Sequence, residues 1–390
     1  MTTKCDNQAE QLMTNGLFDR LAHLRDRLLL SPAFHRWSFA IPGVRYLART
    51  EARSLFHICA GFVYSQVLLA CVRLRLFDLL RTGPRSLAAI EAHTKLPAKS
   101  LERLLIAAQS LRLLERRSAD HWGLGVLGAA VAANPSIAAM VEHHATLYAD
   151  LSDPVALLGP DKPATQMSAY WPYAGAHSPG TLNDEQVATY TALMATSQVM
   201  ISAEVLDAYD FSAHRQLLDV GGGDGTFLSG VAKRARHLEL RLFDLPAVAA
   251  RAQARLDGEG LSARARATGG DFYADALPAG ADIVTLVRVL FDHDDASAAK
   301  ILRAVHAALP HDGTLLIAEP MSEERGGDPI SDAYFSFYLL AMGRGRSRTP
   351  ADFARLLSAA GFGAPRMVVT RNPMLTRVVA VQPKKVTGRV

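Results

Sequence analysis

Cysteine is nearly absent from this sequence, with Cys5, Cys59 and Cys71 the only three in 390 residues. An odd, scattered set without metal-ligand spacing excludes a disulfide framework and points to structural thiols in a reducing cytoplasm. No secretory leader is expected either, because "MTTKCDNQAEQL" is polar and carries no apolar run with a cleavage site. The most apolar stretch, "HICAGFVYSQVLLACVRLRLF", is interrupted by Ser65 and Gln66 and flanked by Arg73 and Arg75. That falls short of an uninterrupted membrane span, so a long, largely buried helix over 54–81 is expected. No repeat or low-complexity tract stands out, and the composition (49% hydrophobic, 21% charged) is that of a globular protein.

What is present starts with length. A chain of 390 residues exceeds the size at which one core stops growing, so more than one domain is expected. The formal charge of +4 is small but uneven, since residues 1–150 hold 18 Lys and Arg against 12 Asp and Glu. In the N-terminal half, "SLAAIEAHTKLPAKSLERLLIAAQSLRLLERRSADHWGLG" reads as helix, turn, helix and short hairpin. Ser86 caps the first helix, Leu96–Pro97 turns, and Ser100 opens the second helix. This is a winged-helix pattern. In the second half, "RQLLDV", "LELRLFD", "DIVTLVRVL" and "GTLLIAE" alternate with helical stretches, as in a parallel doubly wound sheet. The last two runs, "RMVVT" and "TRVVAV", are separated only by "RNPML", too short for a crossover, so that pair must be antiparallel. The expected divisions are a helical extension over 1–50, a winged-helix domain over 51–160, a helical connection and pocket roof over 161–210, and a catalytic domain over 211–383.

"LLDVGGGDGTFLSGVAKRA" places Gly221, Gly222, Gly223 and Gly225 after a strand and at the mouth of a helix. Glycines there let the backbone approach a ligand and expose helix N-terminal amides. The spacing is G-x-G-x-G rather than the dinucleotide G-x-G-x-x-G. Nineteen residues after Gly225, Asp244 ends the next strand, placed to accept both ribose hydroxyls of a nucleoside.

"LLDVGGGDGTFL", "LFDLPAV", "GGDFYADALPAGADIVTLVRVL", "GTLLIAEPM" and "RTPADFARLLSAAGF" together resemble the caffeate/acetylserotonin class of S-adenosylmethionine-dependent O-methyltransferases. The winged-helix segment resembles that class's dimerisation domain. The resemblance implies an α/β fold, a Rossmann-like methyltransferase sheet with an antiparallel last strand, joined to a mainly helical N-terminal winged-helix domain that makes a homodimer. It also implies cofactor roles. Gly221 and Gly223 would lie near the methionine end of S-adenosylmethionine and Asp244, followed by Leu245, at its ribose. Gly270, Asp271 and Phe272 would hold its adenine, with Arg288 and Gln198 as further contacts. "FHICAGFVYSQVLLA", "AMVEHHATLYADLSDPVALL", "YWPYAGAHSPG", "VRVLFDHDD" and "SDAYFSFYLLAMGRGRSRTP" more narrowly resemble the hydroxyneurosporene (demethylspheroidene) O-methyltransferases of purple phototrophic bacteria. That likeness implies a lipophilic acceptor bearing a tertiary 1-hydroxyl on an acyclic carotenoid.

The chain departs from the broader class at "LFDHDD". Most relatives read "LHDW", with the His as general base for a phenol; here Phe291 stands at that position and His293 two residues on. Glu319 in "IAEPM" survives, while Ser347 replaces a second glutamate. A phenol of pKa ~10 suits a histidine base, but a tertiary alcohol is too weak an acid to be deprotonated in advance. Methyl transfer to it would depend on in-line approach, with the proton leaving late. Phe291, His293 and Glu319 are therefore the candidate catalytic residues, His293 being either the late proton acceptor or a structural histidine among Asp292, Asp294 and Asp295. His143 and His144 are further candidates in the pocket roof. The aspartates before "ASAAKILRAV" read as a helix N-terminus, so no metal is expected.

Three other readings are weaker. A small phenol or polyketide acceptor conflicts with Phe291 and Ser347. A DNA-binding regulator would need more basic groups than Lys99 and Arg103 on "AKSLERLLIAAQS", so no nucleic-acid partner is expected. A cofactor-binding pseudoenzyme is favoured only by the missing His. Residues 16–53 hold seven arginines against Asp19, Asp26 and Glu51, and Leu17, Leu21, Leu24 and Leu28 share one helix face. That face could meet a partner subunit or an anionic membrane, giving a cytoplasmic enzyme peripheral to the photosynthetic membrane.

Overall fold

The computed structural model describes residues 18–170 and 198–384, apart from 119, 325, 326, 328 and 375. Cys5, Leu17 and most of the expected roof segment, including "WPYAGAHSPG", lie outside the described residues. The chain divides into two compact units, Met1–Gly128 and Ala129–Val390. That division precedes the expected boundary at residue 160, and the helix Pro135–Asp150 falls in the second unit.

In the first unit, helix 18–29 is followed by Pro32–Ala40, whose N-cap Ser31 accepts from the Phe34 amide, and by the 32-residue helix Pro42–Arg73. Both Pro32 and Pro42 stand in the first turn, where the missing N–H is not required. The long helix corrects the sequence reading. It starts at Pro42 rather than residue 54, stops at Arg73 before Arg75 in a left-handed conformation, and is exposed rather than buried. Leu69 and Cys71 are its buried residues, while Leu55, Phe56, Ile58 and Phe62 are each more than 60% exposed. By length and composition it could cross a membrane. Periodicity shows which side chains are apolar, and it cannot show whether this chain or another surface covers them.

The winged helix forms as expected. Ser86 caps helix Leu87–Thr94, and helix Ala98–Ser110 follows. The second helix opens at Pro97 rather than Ser100. Strands β1 (Arg85–Ser86), β2 (Leu114–Arg116) and β3 (His121–Leu124) form an antiparallel sheet in the order β1-β3-β2. Leu76, Phe77, Ile90, Leu101 and Leu105 are buried in this unit. Burial pushes the Cys71 thiol up to about 12, which makes it inert.

The second unit holds β4 (Gln216–Val220), β5 (Glu239–Asp244), β6 (Ala265–Gly269), β7 (Ile283–Val287), β8 (Thr314–Glu319), β9 (Arg366–Val368) and β10 (Arg377–Val381). They make one seven-stranded sheet in the order β6-β5-β4-β7-β8-β10-β9. The first five are parallel, and β10 runs antiparallel to β8 and β9, as the short connection requires. β7 and β8 are buried along their whole lengths, which explains their unbroken apolar runs. The chain winds away from β4 in both directions, so the crevice at the carboxyl ends of β4 and β7 is the place where a ligand binds in such sheets.

Candidate functional site

At the end of β4, Gly221, Gly223 and Gly225 have φ of +69°, +61° and +82°, a region that L side chains avoid. A Cβ on Gly221 would stand 2.8 Å from Val289, whereas one on Gly223 would meet nothing within 4 Å. The loop is therefore pressed against the β7 end and open above Gly223, a cradle suited to a ligand. Beneath it lies a group that the sequence reading did not single out. Asp219 is buried, accepts from the Thr285 hydroxyl at 2.7 Å, and leaves its other oxygen without a hydrogen-bond partner. Burial pushes its carboxyl up to about 7. An acid inside an otherwise apolar strand, "LLDV", was the available signal.

Asp244 ends β5 beside this cradle. Its Oδ2 accepts from the Gly223 amide at 2.8 Å and its Oδ1 from the Leu245 amide at 2.7 Å. Desolvation raises its carboxyl to about 6, against the pull of those two amides. Gly270 donates to the Asp244 carbonyl at 2.9 Å, which brings the β6 end alongside. Asp271 and Phe272 follow, both half-buried, with Phe272 packed on the core that contains Phe243 and Leu290. Gly221, Gly223, Asp244, Leu245, Gly270, Asp271 and Phe272 thus line the adjoining ends of β4, β5 and β6. Arg288 follows β7 with φ +57°, its guanidinium 5.8 Å from the Phe291 ring. Gln198 stands half-buried at one end of the described helix 198–208, and its assignment rests on the resemblance alone.

The turn after β7 is held by main-chain bonds. Glu319 is fully buried at the end of β8, and its Oε1 accepts from the amides of Val289 (3.0 Å) and Leu290 (2.7 Å). Burial and the neighbouring Asp292 carboxyl push Glu319 up to about 8. Its role here is to fix the turn. Arg348, 1% exposed, donates to the carbonyls of Leu290 and His293, each at 2.6 Å, and to Asp295 at 2.9 Å. Gly345, at φ +85°, packs so closely that a Cβ would collide with the Phe291 carbonyl, to which Arg346 donates at 3.0 Å. The sequence reading named neither Arg348 nor Gly345.

His293 reaches away from its own loop to a tyrosine. Its Nδ1 meets the Tyr273 hydroxyl at 2.8 Å, and its ring lies edge-on to Phe272 and Tyr273. Burial first, then Arg348, lowers it to about 4, which keeps the imidazole neutral. It faces the Asp271–Tyr273 side of the site. Asp294 caps the next helix through the Ser297 amide, and Asp295 pairs with Arg346 and Arg348. These aspartates therefore have helix-terminus and ion-pair duties.

Phe291 is 3% exposed and packs with Leu147, Met167, Tyr338, Leu339 and Met342, its ring 6.3 Å from that of Phe335. Above it, helix Pro135–Asp150 supplies His143 and His144, whose Nε2 atoms meet the hydroxyls of Tyr338 (3.0 Å) and Tyr334 (2.7 Å). The crevice thus offers a nucleoside-shaped polar cradle beside an aromatic wall, an arrangement for moving a group from a nucleoside-bearing donor to an apolar acceptor.

The comparisons agree. The family model for the O-methyltransferase domain matches residues 148–363, and that for the O-methyltransferase dimerisation domain matches 56–132. Demethylspheroidene O-methyltransferase of Cereibacter sphaeroides is 41% identical over 365 residues, covering 93% of this chain and 96% of that protein. The Rhodobacter capsulatus protein of the same name is 38% identical, covering 91% and 88%. Among solved structures, the methyltransferase CalO1 of calicheamicin biosynthesis, with S-adenosylhomocysteine bound, superposes with a TM-score of 0.72 at 29% identity over 86% of this chain and 98% of that one. Human N-acetylserotonin methyltransferase in complex with S-adenosylmethionine gives 0.69 at 25% identity over 86% and 98%. This chain belongs to the O-methyltransferase family. Its dimerisation domain makes it a homodimer, and the exposed Leu55–Phe62 face lies largely within the matched segment.

Proposed function

We propose that this enzyme transfers a methyl group from S-adenosylmethionine to the tertiary hydroxyl of an acyclic carotenoid. The observation that carries the acceptor assignment is Phe291, an apolar ring in a buried aromatic cluster where a phenol-methylating relative would present a base. The names of the relatives, demethylspheroidene O-methyltransferases, point the same way. S-adenosylmethionine, held by the Gly221–Gly225 loop, supplies an electrophilic methyl on a sulfonium. Asp244 and Leu245 take the ribose, Gly270, Asp271 and Phe272 the adenine, and Arg288 and Gln198 complete the cofactor contacts. Phe291 borders the acceptor, Glu319 holds the turn that carries it, and His293 acts through Tyr273 on the adenine side rather than as the base. Incubation with labelled S-adenosylmethionine and a panel of 1-hydroxycarotenoids and phenols, read by mass spectrometry, should give a methylated carotenoid. Methylation confined to phenols would overturn the acceptor assignment.

The enzyme's approach to a membrane-dissolved polyene falls to its N-terminal helices. Phe18, Leu21, Leu24 and Leu28 on helix 18–29 and Trp37 and Phe39 on the next are exposed, among Arg20, Arg25, Arg27 and Arg36. Each basic side chain near an anionic surface contributes about 1 kcal/mol. The apolar face of Pro42–Arg73 that falls within the dimerisation domain belongs to the second copy, so we assign peripheral rather than spanning association. Co-sedimentation with anionic vesicles should be stronger for the full chain than for one starting at Glu51, and should weaken with salt. Equal partitioning of the two would leave these helices a structural role only.

A further inference from the structure

Phe291 leaves open where the acceptor's proton goes, and two histidine–tyrosine pairs of the second unit lie near that ring. Tyr334 is the penultimate residue of a π-helix, Pro329–Phe335, a wide turn that often marks a functional position. Its ring lies 5.0 Å from that of Phe335, which lies edge-on to Phe291. Its hydroxyl meets His144 Nε2 at 2.7 Å, and the His144 ring lies edge-on to both Tyr334 and Tyr148. The similar pair one turn on, His143 with Tyr338, is buried within the aromatic cluster, whereas Tyr334 and His144 are half-buried.

From this placement, and resting on the acceptor assignment above, we infer that the Tyr334 hydroxyl binds the acceptor's hydroxyl and, with His144 behind it, carries the proton away. The acceptor oxygen forms its bond to the methyl carbon as the carbon–sulfur bond breaks, the electron pair of that bond remaining on sulfur. The proton then leaves the alkylated oxygen for the Tyr334 oxygen, while the Tyr334 proton passes to His144 Nε2, leaving a neutral phenol and an imidazolium. This requires the His144 tautomer with its proton on Nδ1.

The electrostatics suit a late transfer. Burial lowers His144, so its imidazole is neutral and able to accept. Burial pushes Tyr334 up to about 12, with Arg288 drawing it down and Tyr148 pushing it up, so its phenol stays protonated and donates a hydrogen bond. A weak base is sufficient, because a protonated ether is a far stronger acid than an imidazolium. An alcohol that is not deprotonated in advance needs no stronger base than this.

The test compares Tyr334→Phe with wild type on whichever acceptor of the panel the wild type methylates, so the acceptor assignment is read separately from the pair's role. We expect kcat to fall at least tenfold, with the affinity for S-adenosylhomocysteine unchanged. His144→Ala should lose a similar factor and recover part of it with added imidazole. A second readout needs no turnover: wild type should bind a hydroxylated acceptor more tightly than the same skeleton lacking the hydroxyl, and Tyr334→Phe should lose that preference. A kcat within twofold of wild type together with a retained preference would overturn the inference. A fall in kcat accompanied by weakened cofactor affinity would assign the pair a structural role and overturn it equally.

Discussion

Replacing Arg348 with alanine should lower the unfolding free energy by about 1–3 kcal/mol, the cost of leaving a buried hydrogen-bonding group without its donor, since its ion-pair partner Asp295 is half-exposed. The guanidinium is buried and bonded to two carbonyls and one carboxylate. Alanine would strand the His293 carbonyl, leave the Leu290 carbonyl only the His293 amide at 3.2 Å, and leave Asp295 only Arg346 as a partner. Lysine should rescue little, because an ammonium on a flexible stem cannot reproduce a planar fork aimed at three acceptors. Chemical denaturation of the purified enzyme reads the loss directly. A change below about 1 kcal/mol, the range of exposed pairs, would mean that the turn is held by other means.

On the proposed assignment of Asp244 to the two ribose hydroxyls, Asp244→Ala should weaken binding of S-adenosylhomocysteine on the order of 10²-fold or more, since hydrogen bonds to a charged group are worth about 1.5–3 kcal/mol each. The substitution also removes the acceptor that orders the Gly223 and Leu245 amides. The pH dependence has a definite sign. The carboxylate is the form that accepts from the ribose, and desolvation holds this carboxyl at about 6, so wild-type affinity should fall as pH drops through about 6. The variant should lack that fall. Calorimetry between pH 5 and 8 checks both points, and an unchanged affinity would remove Asp244 from the cofactor site.

How legible this was from the sequence differs between elements for identifiable reasons. β7 and β8 are buried on both faces, so their apolar runs announced them, and the five-residue link "RNPML" dictated the antiparallel end. β6 went unnoticed because it is an edge strand, "ARATG", largely exposed and without an apolar run. Asp244 was singled out by its spacing from the glycine loop, at the end of a strand, whereas Asp271 and Phe272 were named through the family resemblance. Arg348 was not, because a buried arginine looks like any surface arginine until its three acceptors, 53 to 58 residues away in sequence, are in place. His293 and Glu319 were singled out in the sequence, but their partners were not. The Tyr273 hydroxyl and the amides of Val289 and Leu290 reach them only through the fold. The exposure of the Pro42–Arg73 helix was misread for a related reason, since apolar periodicity marks the side chains without showing what covers them.

The hydrogen bonds that Glu319, Arg348 and Arg346 make to the turn after β7 all engage its main chain. Two amides go to Glu319, the Leu290 and His293 carbonyls to Arg348, and the Phe291 carbonyl to the Arg346 amide. The side chain at position 291 supplies none of them. The main chain of the turn is therefore a socket held by bonds that do not pass through its occupant, while the Phe291 ring itself meets only the apolar wall and Arg288 among the described contacts. A fold of this kind can exchange one acceptor chemistry for another by changing a single plug, while the frame that grips the methyl donor stays as it was.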